Sequence, residues 1–322
     1  MRDVTAFGSP PPILVMTGGD PLARPDLFEL IAEARANGTR VALAPAVSPA
    51  LAGRNVERLR ELGVNAISIS LDGASAEVHE GIRGIPGHFA QTVDTLRALV
   101  AAGFMVQVNT TVMRRNSEEL ADIAALLRDL GVHVWEVFFL VQVGRGMSVA
   151  ELGAKECEDV AHFLYEAARY GFIVRTVEAP FFRRVVSWRV DAPGADPVTA
   201  FGCGALYTRL ASRLRERLGA PTTTPKATSA GTRDGNGILF VAHDGAVYPA
   251  GFLPLALGNV RRRSVVDIYR DHPLLRAIRE ARFVGRCGAC EFRTICGGSR
   301  SRAFARYGDA LAEDPACDYA VA

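Results

Sequence analysis

At 322 residues the chain can hold one large domain and a smaller one, and 49% hydrophobic content supplies a full core. With 22% charged residues and a formal net charge of +2 there is no broad electrostatic argument for a nucleic-acid or membrane partner, so neither is expected. Met1–Pro10 has no apolar signal core, and no later run approaches the ~20 apolar residues of a spanning helix, so a cytoplasmic protein is expected.

From residue 12 to about 178, short apolar runs alternate with segments of helical period, the pattern of βα units. Strands are expected at Ile13–Met16, Arg40–Ala44, Ala66–Leu71, Met105–Val112, Val134–Val141 and Phe172–Val177. Between them, Leu27/Leu30/Ile31/Ala34, Phe89/Val93/Leu96/Val100 and Leu120/Ile123/Ala124/Leu127 fall on single helix faces and read as core. Pro25-Asp26 and Asn116–Glu119 open helices, and Gly38, Gly63, Gly103 and Gly131 close them.

The strand faces carry further information. Ile67, Ile69 and Leu71 point one way and Ser68, Ser70 and Asp72 the other, while Val106 and Val108 oppose Gln107, Asn109 and Thr111. A closed eight-stranded (β/α) barrel fills its interior with bulky branched side chains. Polar inner faces on successive strands predict instead a wider or incomplete barrel lined for a polar ligand, in preference to an open sheet with one solvated face. Chemistry is expected in loops at the strands' carboxyl ends: Thr17-Gly18-Gly19-Asp20-Pro21, Ser70-Leu71-Asp72-Gly73 with His79 and Arg83, and Val143-Gly144-Arg145-Gly146. Asp20 offers a carboxylate to a cationic group, and no Lys-Ser/Thr follows to make a phosphate loop. His79 by itself reads as a surface cap.

Residues 179–236 read as a bridging region, with linkers at Asp191–Pro197 and Gly219–Gly237 around a basic helix, Leu206–Leu218. Arg209, Arg213, Arg215 and Arg217 there suit an anionic ligand or a solvated face. A hairpin turning at Asp244-Gly245 and a helix over Val265–Ala281 lead into Cys287-x2-Cys290-x5-Cys296 and, twenty residues on, Cys317. Two thiolates two residues apart grip one metal centre from a single turn, and two more complete a four-sulfur site, iron–sulfur or zinc. Disulfides are disfavoured in a reducing compartment. Arg286, Arg293, Arg300 and Arg302 stand around these loops and would offset thiolate charge.

Thr17–Leu22, Ile69–Gly73 with His79 and Arg83, Asn109-Thr110-Thr111, Val143–Gly146 and the four tail cysteines resemble, in order and spacing, a radical SAM enzyme with a SPASM-type auxiliary cluster domain. The subgroup of alternative haem and peptide-cofactor biosynthesis is nearest, through Asp244–Pro249, Leu257–Val260 and Cys296–Ala303. The resemblance implies an α/β fold: a partial (β/α) barrel over 1–178 missing its first βα unit, a bridging region over 179–236, and a small cysteine-rich α+β SPASM-like domain over 237–322. It implies that Gly18-Gly19-Asp20 holds the amino group of S-adenosylmethionine, that Ser70 and Asn109 face this cofactor, and that Val143-Gly144 lies under its adenine. Gln142 stands where relatives often have proline. Cys287, Cys290, Cys296 and Cys317 become ligands of one auxiliary [4Fe-4S] cluster, and Ala250, where relatives with two auxiliary clusters place a cysteine, limits the tail to one.

The family's C-x3-C-x2-C loop, whose cluster cleaves the cofactor, is absent, since the first cysteine is Cys157. The chain opens about one helix before the Gly-Gly-Asp strand, so a lost or mis-started first unit is expected, with Arg2–Phe7 the end of its helix. Cys157 and Cys203 do not have the spacing to substitute and read as free thiols. The expected activity is radical modification of a tetrapyrrole, peptide or related small molecule by a 5′-deoxyadenosyl radical, dormant without that loop, with a flavodoxin or ferredoxin as electron donor. Beside it stand a non-catalytic iron–sulfur or zinc-binding accessory protein on a degenerate barrel, and an ordinary barrel enzyme using Asp20 and Asp72 with a structural zinc tail.

Overall fold

The structure, a computed structural model, describes residues 2–144, 146, 150–228 and 231–321. Six strands, β1 (Leu14–Met16), β2 (Val41–Leu43), β3 (Ala66–Ser70), β4 (Met105–Val112), β5 (Val134–Phe139) and β6 (Ile173–Val177), form one sheet in the order 1-2-3-4-5-6. β1 to β4 pair in parallel, with Leu14 opposite Val41, Ala42 opposite Ala66 and Ser70 opposite Asn109. Sequential order with helical crossovers is the expected partial (β/α) barrel.

All six expected strands are present, most of them a residue or two shorter than the apolar runs. Helices occupy Leu27–Ala36, His88–Ala101 and Leu120–Asp129 as their stripes predict, and Gly38, Gly63, Gly103 and Gly131 all take left-handed φ of 70–78°. A further helix, Arg54–Glu61, is so polar that only Leu59 of it is buried, which hid it from a reading based on apolar stripes. The two strand faces divide as expected. Ile67, Ile69, Val106 and Val108 are fully buried, whereas Ser68, Ser70, Gln107 and Asn109 are half-buried.

The chain divides into two compact units. One comprises Met1–Thr110, Asp122–Glu136 and Gly171–Ile173; the other comprises Thr111–Ala121, Val137–Tyr170 and Val174–Ala322. The second contains the expected hairpin, extended by a third strand: β7 (Phe240–Val241), β8 (Ala246–Tyr248) and β9 (Gly258–Asn259), antiparallel and packed through Val247 on Leu257, Ile268 and Leu275.

Two expectations in this unit are corrected. Val265–Ala281 is two helices, Val265–Asp271 and Pro273–Arg279, because Pro273 has no N–H to continue the first and His272 Nδ1 caps the second by accepting from Leu274 N at 3.2 Å. The bridging region is also more ordered than its Pro/Gly content suggested. Phe182–Asp191 and Pro197–Phe201 are helical, and the first buries Phe182, Arg183, Arg184, Val185 and Val186. Among the described residues no helix is long and apolar enough to cross a membrane.

Candidate functional site

In the first unit, β1 ends in Thr17-Gly18-Gly19-Asp20. Asp20 caps the short 3-10 turn Pro21–Ala23, its Oδ1 accepting from Leu22 N at 3.1 Å, while its Oδ2 accepts from Ser48 Oγ at 3.0 Å in the loop after β2. Each carboxylate oxygen keeps a lone pair for a further donor. Ser70 and Asn109 are direct neighbours across β3 and β4. Gln107 Nε2 donates both to Asn109 Oδ1 and to Glu136 Oε2, each at 2.8 Å, so the Asn109 carbonyl is occupied and its NH2 group remains to face a ligand. Glu136 and Gln107 are thus parts of the polar face that motif matching did not single out. The signal was the alternation itself, since Gln107 sits on the Asn109 face of β4 and Glu136 is the charged residue of β5 that it bonds.

The Asp72-Gly73 turn after β3 is held from behind by histidines. His79 is fully buried, which corrects its reading as a surface cap. Its Nδ1 accepts from Asp72 N at 3.1 Å, so its Nε2 carries the proton and donates to His88 Nδ1 at 2.8 Å. Burial pushes His79 down to about 4, with the nearby Arg83 charge acting in the same direction, and the ring is neutral at physiological pH. Gly73 leaves no room for a side chain, because a Cβ there would lie 2.6 Å from His79 N. Arg83 Nη2 closes the arrangement on Asp72 Oδ2 at 2.7 Å.

Val143 and Gly144 belong to the second unit, in the turn after β5. There Val143 N bonds Val141 O at 2.8 Å and Gly144 takes φ 53°. Arg145 lies outside the described residues.

The second unit also carries the cysteine tail. Cys287, Cys290, Cys296 and Cys317 are unbridged and line one cleft of about 450 Å³, counted with its open mouth, together with Phe181, Arg184, Phe292 and Tyr319. Every one of the four sulfurs accepts a backbone N–H. Asp314 N reaches Cys287 at 3.4 Å, Phe292 N reaches Cys290 at 3.4 Å, and Gly298 N reaches Cys296 at 3.5 Å. Tyr319 N serves Cys317. Burial pushes three of the thiols up, Cys287, Cys296 to about 12 and Cys317 to about 11, so a metal centre here displaces protons as it binds. At Gly298, φ is 63° and a Cβ would stand 2.7 Å from Asp314 Cβ and 3.0 Å from Cys287 Sγ, so the loop passes between the cysteines only as glycine.

Four thiols with N–H donors aimed at their sulfurs fit an iron–sulfur cluster, whose potential such hydrogen bonds tune. Among the described residues no three His, Cys, Asp or Glu side chains converge on one point to hold a single ion.

Behind the cleft lies a polar layer that the sequence did not disclose. Arg184 forms a two-bond pair with Glu158 at 2.8 and 2.7 Å and lies over the rings of Trp188 and Tyr319. Glu178, at the end of β6, has left-handed φ of 58°, accepts from Ser299 Oγ, and keeps one carboxyl oxygen buried without a partner among the described residues. Burial, with Asp234 adding like charge, pushes its carboxyl up to about 8.

The profile of the Radical SAM superfamily matches residues 4–127. The AdoMet-dependent heme synthase of Methanosarcina barkeri is 34% identical over 319 residues, covering 98% of this chain and 84% of that protein. The AdoMet-dependent heme synthase of Oleidesulfovibrio alaskensis is 36% identical over 318 residues, covering 96% of this chain and 75% of that one. Among solved structures, Streptococcus suis SuiB bound to S-adenosylmethionine superposes with a TM-score of 0.64 at 12% identity, over 95% of this chain and 66% of that one, a likeness of fold.

Proposed function

The chain belongs to the radical SAM superfamily, and from that premise we propose that it is a SPASM-type radical SAM oxidoreductase whose substrate is a tetrapyrrole. The observation that carries the reading is the match to haem synthases over 96–98% of this chain and 75–84% of theirs, with the four tail cysteines drawn to one cleft.

The family works with S-adenosylmethionine and [4Fe-4S] clusters, and one-electron cleavage of the bound cofactor supplies the hydrogen-abstracting chemistry. In this chain Gly18, Gly19 and Asp20 would hold the cofactor's amino group and Ser70 and Asn109 its polar edge, with Val143 and Gly144 assigned to the adenine. The free Asp20 lone pairs and the unengaged Asn109 NH2 support this assignment. Cys287, Cys290, Cys296 and Cys317 would hold one [4Fe-4S] cluster that relays electrons or anchors substrate, with a flavodoxin or ferredoxin as donor. A second, cofactor-cleaving cluster does not fit the residues of this sequence. The first unit has no cysteine, Cys157 is buried with its sulfur directed at Leu152 O, and Cys203 is buried elsewhere in the second unit.

Anaerobic reconstitution followed by iron and sulfide analysis should give about four irons and four labile sulfides per chain. One zinc without sulfide would overturn the cluster assignment. Titrating the reconstituted protein with S-adenosylmethionine and an iron porphyrin bearing propionates should shift the Soret band, and a band unchanged at saturating porphyrin would overturn the tetrapyrrole assignment.

A further inference from the structure

Seven arginines stand near the cysteine cleft or its loops; Arg293 is exposed to water, and the structure sorts the other six by what neutralises them. Arg184 is held by Glu158, Arg302 by Asp314 at 2.9 Å and Arg286 by Glu313 at 3.3 Å. Arg183, Arg233 and Arg300 differ. They are 9%, 8% and 0% exposed, and none forms an ion pair with a carboxylate among the described residues.

Their donors go to neutral oxygens of the cysteine loops. Arg183 Nη1 reaches Ile295 O at 2.9 Å and its Nη2 bonds Thr232 O; Arg233 Nη1 reaches Thr294 O at 2.7 Å and Cys296 O at 3.3 Å. Arg300 bonds Gly298 O, Ala310 O and Ala312 O, and its Nη2 stands 3.8 Å from Cys287 Sγ. Asp234 adjoins Arg233 in sequence, but its Oδ2 is turned to Arg300 N and to Ser301 N and Oγ.

Buried cations left without an anion are strongly unfavourable, each carrying an effective penalty of several kcal/mol. Three of them together require more negative charge nearby than Asp234 alone supplies, and the thiolates of the cleft stand next to them. We propose that Arg183, Arg233 and Arg300 are the resident counter-cations of the four-thiolate centre and set its one-electron reduction potential. The inference rests on the reading that the cysteines hold a [4Fe-4S] cluster. That cluster with four thiolates carries a net charge of two minus when oxidised and three minus when reduced, so fixed positive charge favours the reduced form. Reduction adds one electron from a low-potential carrier protein or from dithionite, makes and breaks no bond, and requires no proton. Burial lowers the pKa of both Arg183 and Arg233, and the Cys296 charge acts on each in the opposite direction.

The experiment is a redox titration of the reconstituted full chain with dithionite, followed by electron paramagnetic resonance, in Arg183 and Arg233 each changed to Met, Gln and Lys. Gln removes the charge but keeps a donor for the loop carbonyl; Lys keeps the charge. Loss of charge should make reduction at least about tenfold less favourable, a fall of about 59 mV for one electron, while the Lys variants stay near the parent. Loss of iron in Met and Gln variants but not in Lys variants also supports the proposal. An unchanged potential in any iron-replete Met or Gln variant overturns it, and so does loss of iron in the Lys variants. Failure of the parent chain itself to hold iron and sulfide would instead overturn the underlying cluster assignment.

Discussion

Replacing Arg184 by Met removes one half of a pair that is almost wholly inaccessible to water, the side chains of Arg184 and Glu158 being 2% and 7% exposed. Burial opposes the Glu158 charge, yet its carboxyl is held down at about 2 against an ordinary 4.5. His162, whose Nε2 is 3.6 Å from Glu158 Oε1, and Arg184 with its two bonds hold it down together. At about 1.4 kcal/mol per pH unit, a displacement from 4.5 to about 2 is worth roughly 3 kcal/mol. Because the folded value is below the unfolded one, this contribution is complete above about 4.5 and disappears as pH falls towards about 2. At neutral pH, Arg184→Met should therefore destabilise the reconstituted protein by about 3–5 kcal/mol, the cost of leaving a buried charge unpaired. Urea unfolding followed by tryptophan fluorescence measures it, since Trp188 lies against the Arg184 guanidinium. The double variant Glu158→Leu with Arg184→Met should recover most of the loss, because no charge then remains buried. A single variant within about 1 kcal/mol of the parent, or a double variant as unstable as the single, would refute the reasoning.

Glu178→Gln addresses a carboxyl displaced the other way. With a folded value near 8 above an ordinary 4.5, the native state holds a proton the unfolded chain has lost, so the parent loses stability as pH rises across that interval. Gln should flatten this slope, and parallel slopes between pH 5 and pH 8 in urea unfolding would count against it. His79→Ala leaves the Asp72 N–H buried without its acceptor and should cost about 1–3 kcal/mol; an unshifted urea midpoint would show that the ring does not hold the turn. Gly298→Ala forces a side chain between Asp314 and Cys287 at a left-handed φ, so the reconstituted protein should contain markedly less iron, and full iron content would refute the steric argument.

The barrel was legible because its signals are local. Alternation in Ala66–Ser70 and Met105–Val112 assigns Ile67, Ile69, Val106 and Val108 to one side without reference to any other strand, and the structure buries those residues. The tail cysteines were legible for the same reason, as spacing within one stretch of chain names a thiolate set. The structure brings those four cysteines to one cleft. Where the reading failed, the deciding interaction was distant or masked by composition. The bonds of Arg184 run to Glu158, 26 residues away, and those of Arg183 run to Ile295, 112 residues away. Phe181–Val190 was passed over because it runs directly into the Pro/Gly-rich stretch Asp191–Pro197 and was read with it as bridging chain. Yet that segment carries the apolar period of a helix and supplies two buried arginines to the polar layer behind the cleft.

The arginines show why residue type near a motif is a weaker guide than partnership. Arg286, Arg293, Arg300 and Arg302 were grouped by proximity in sequence as cations offsetting thiolate charge. In the fold Arg286 and Arg302 are claimed by Glu313 and Asp314, and Arg293 is exposed to water, which screens it. Only Arg300 of the four is both buried and without a carboxylate, and its companions, Arg183 and Arg233, come from a segment with no cysteine-related signal. A buried charge acts on its neighbour through low dielectric, while a neutralised pair acts only as a dipole. The cations able to govern electron affinity at the cleft are therefore those whose carboxylate is missing, a property set by the whole fold.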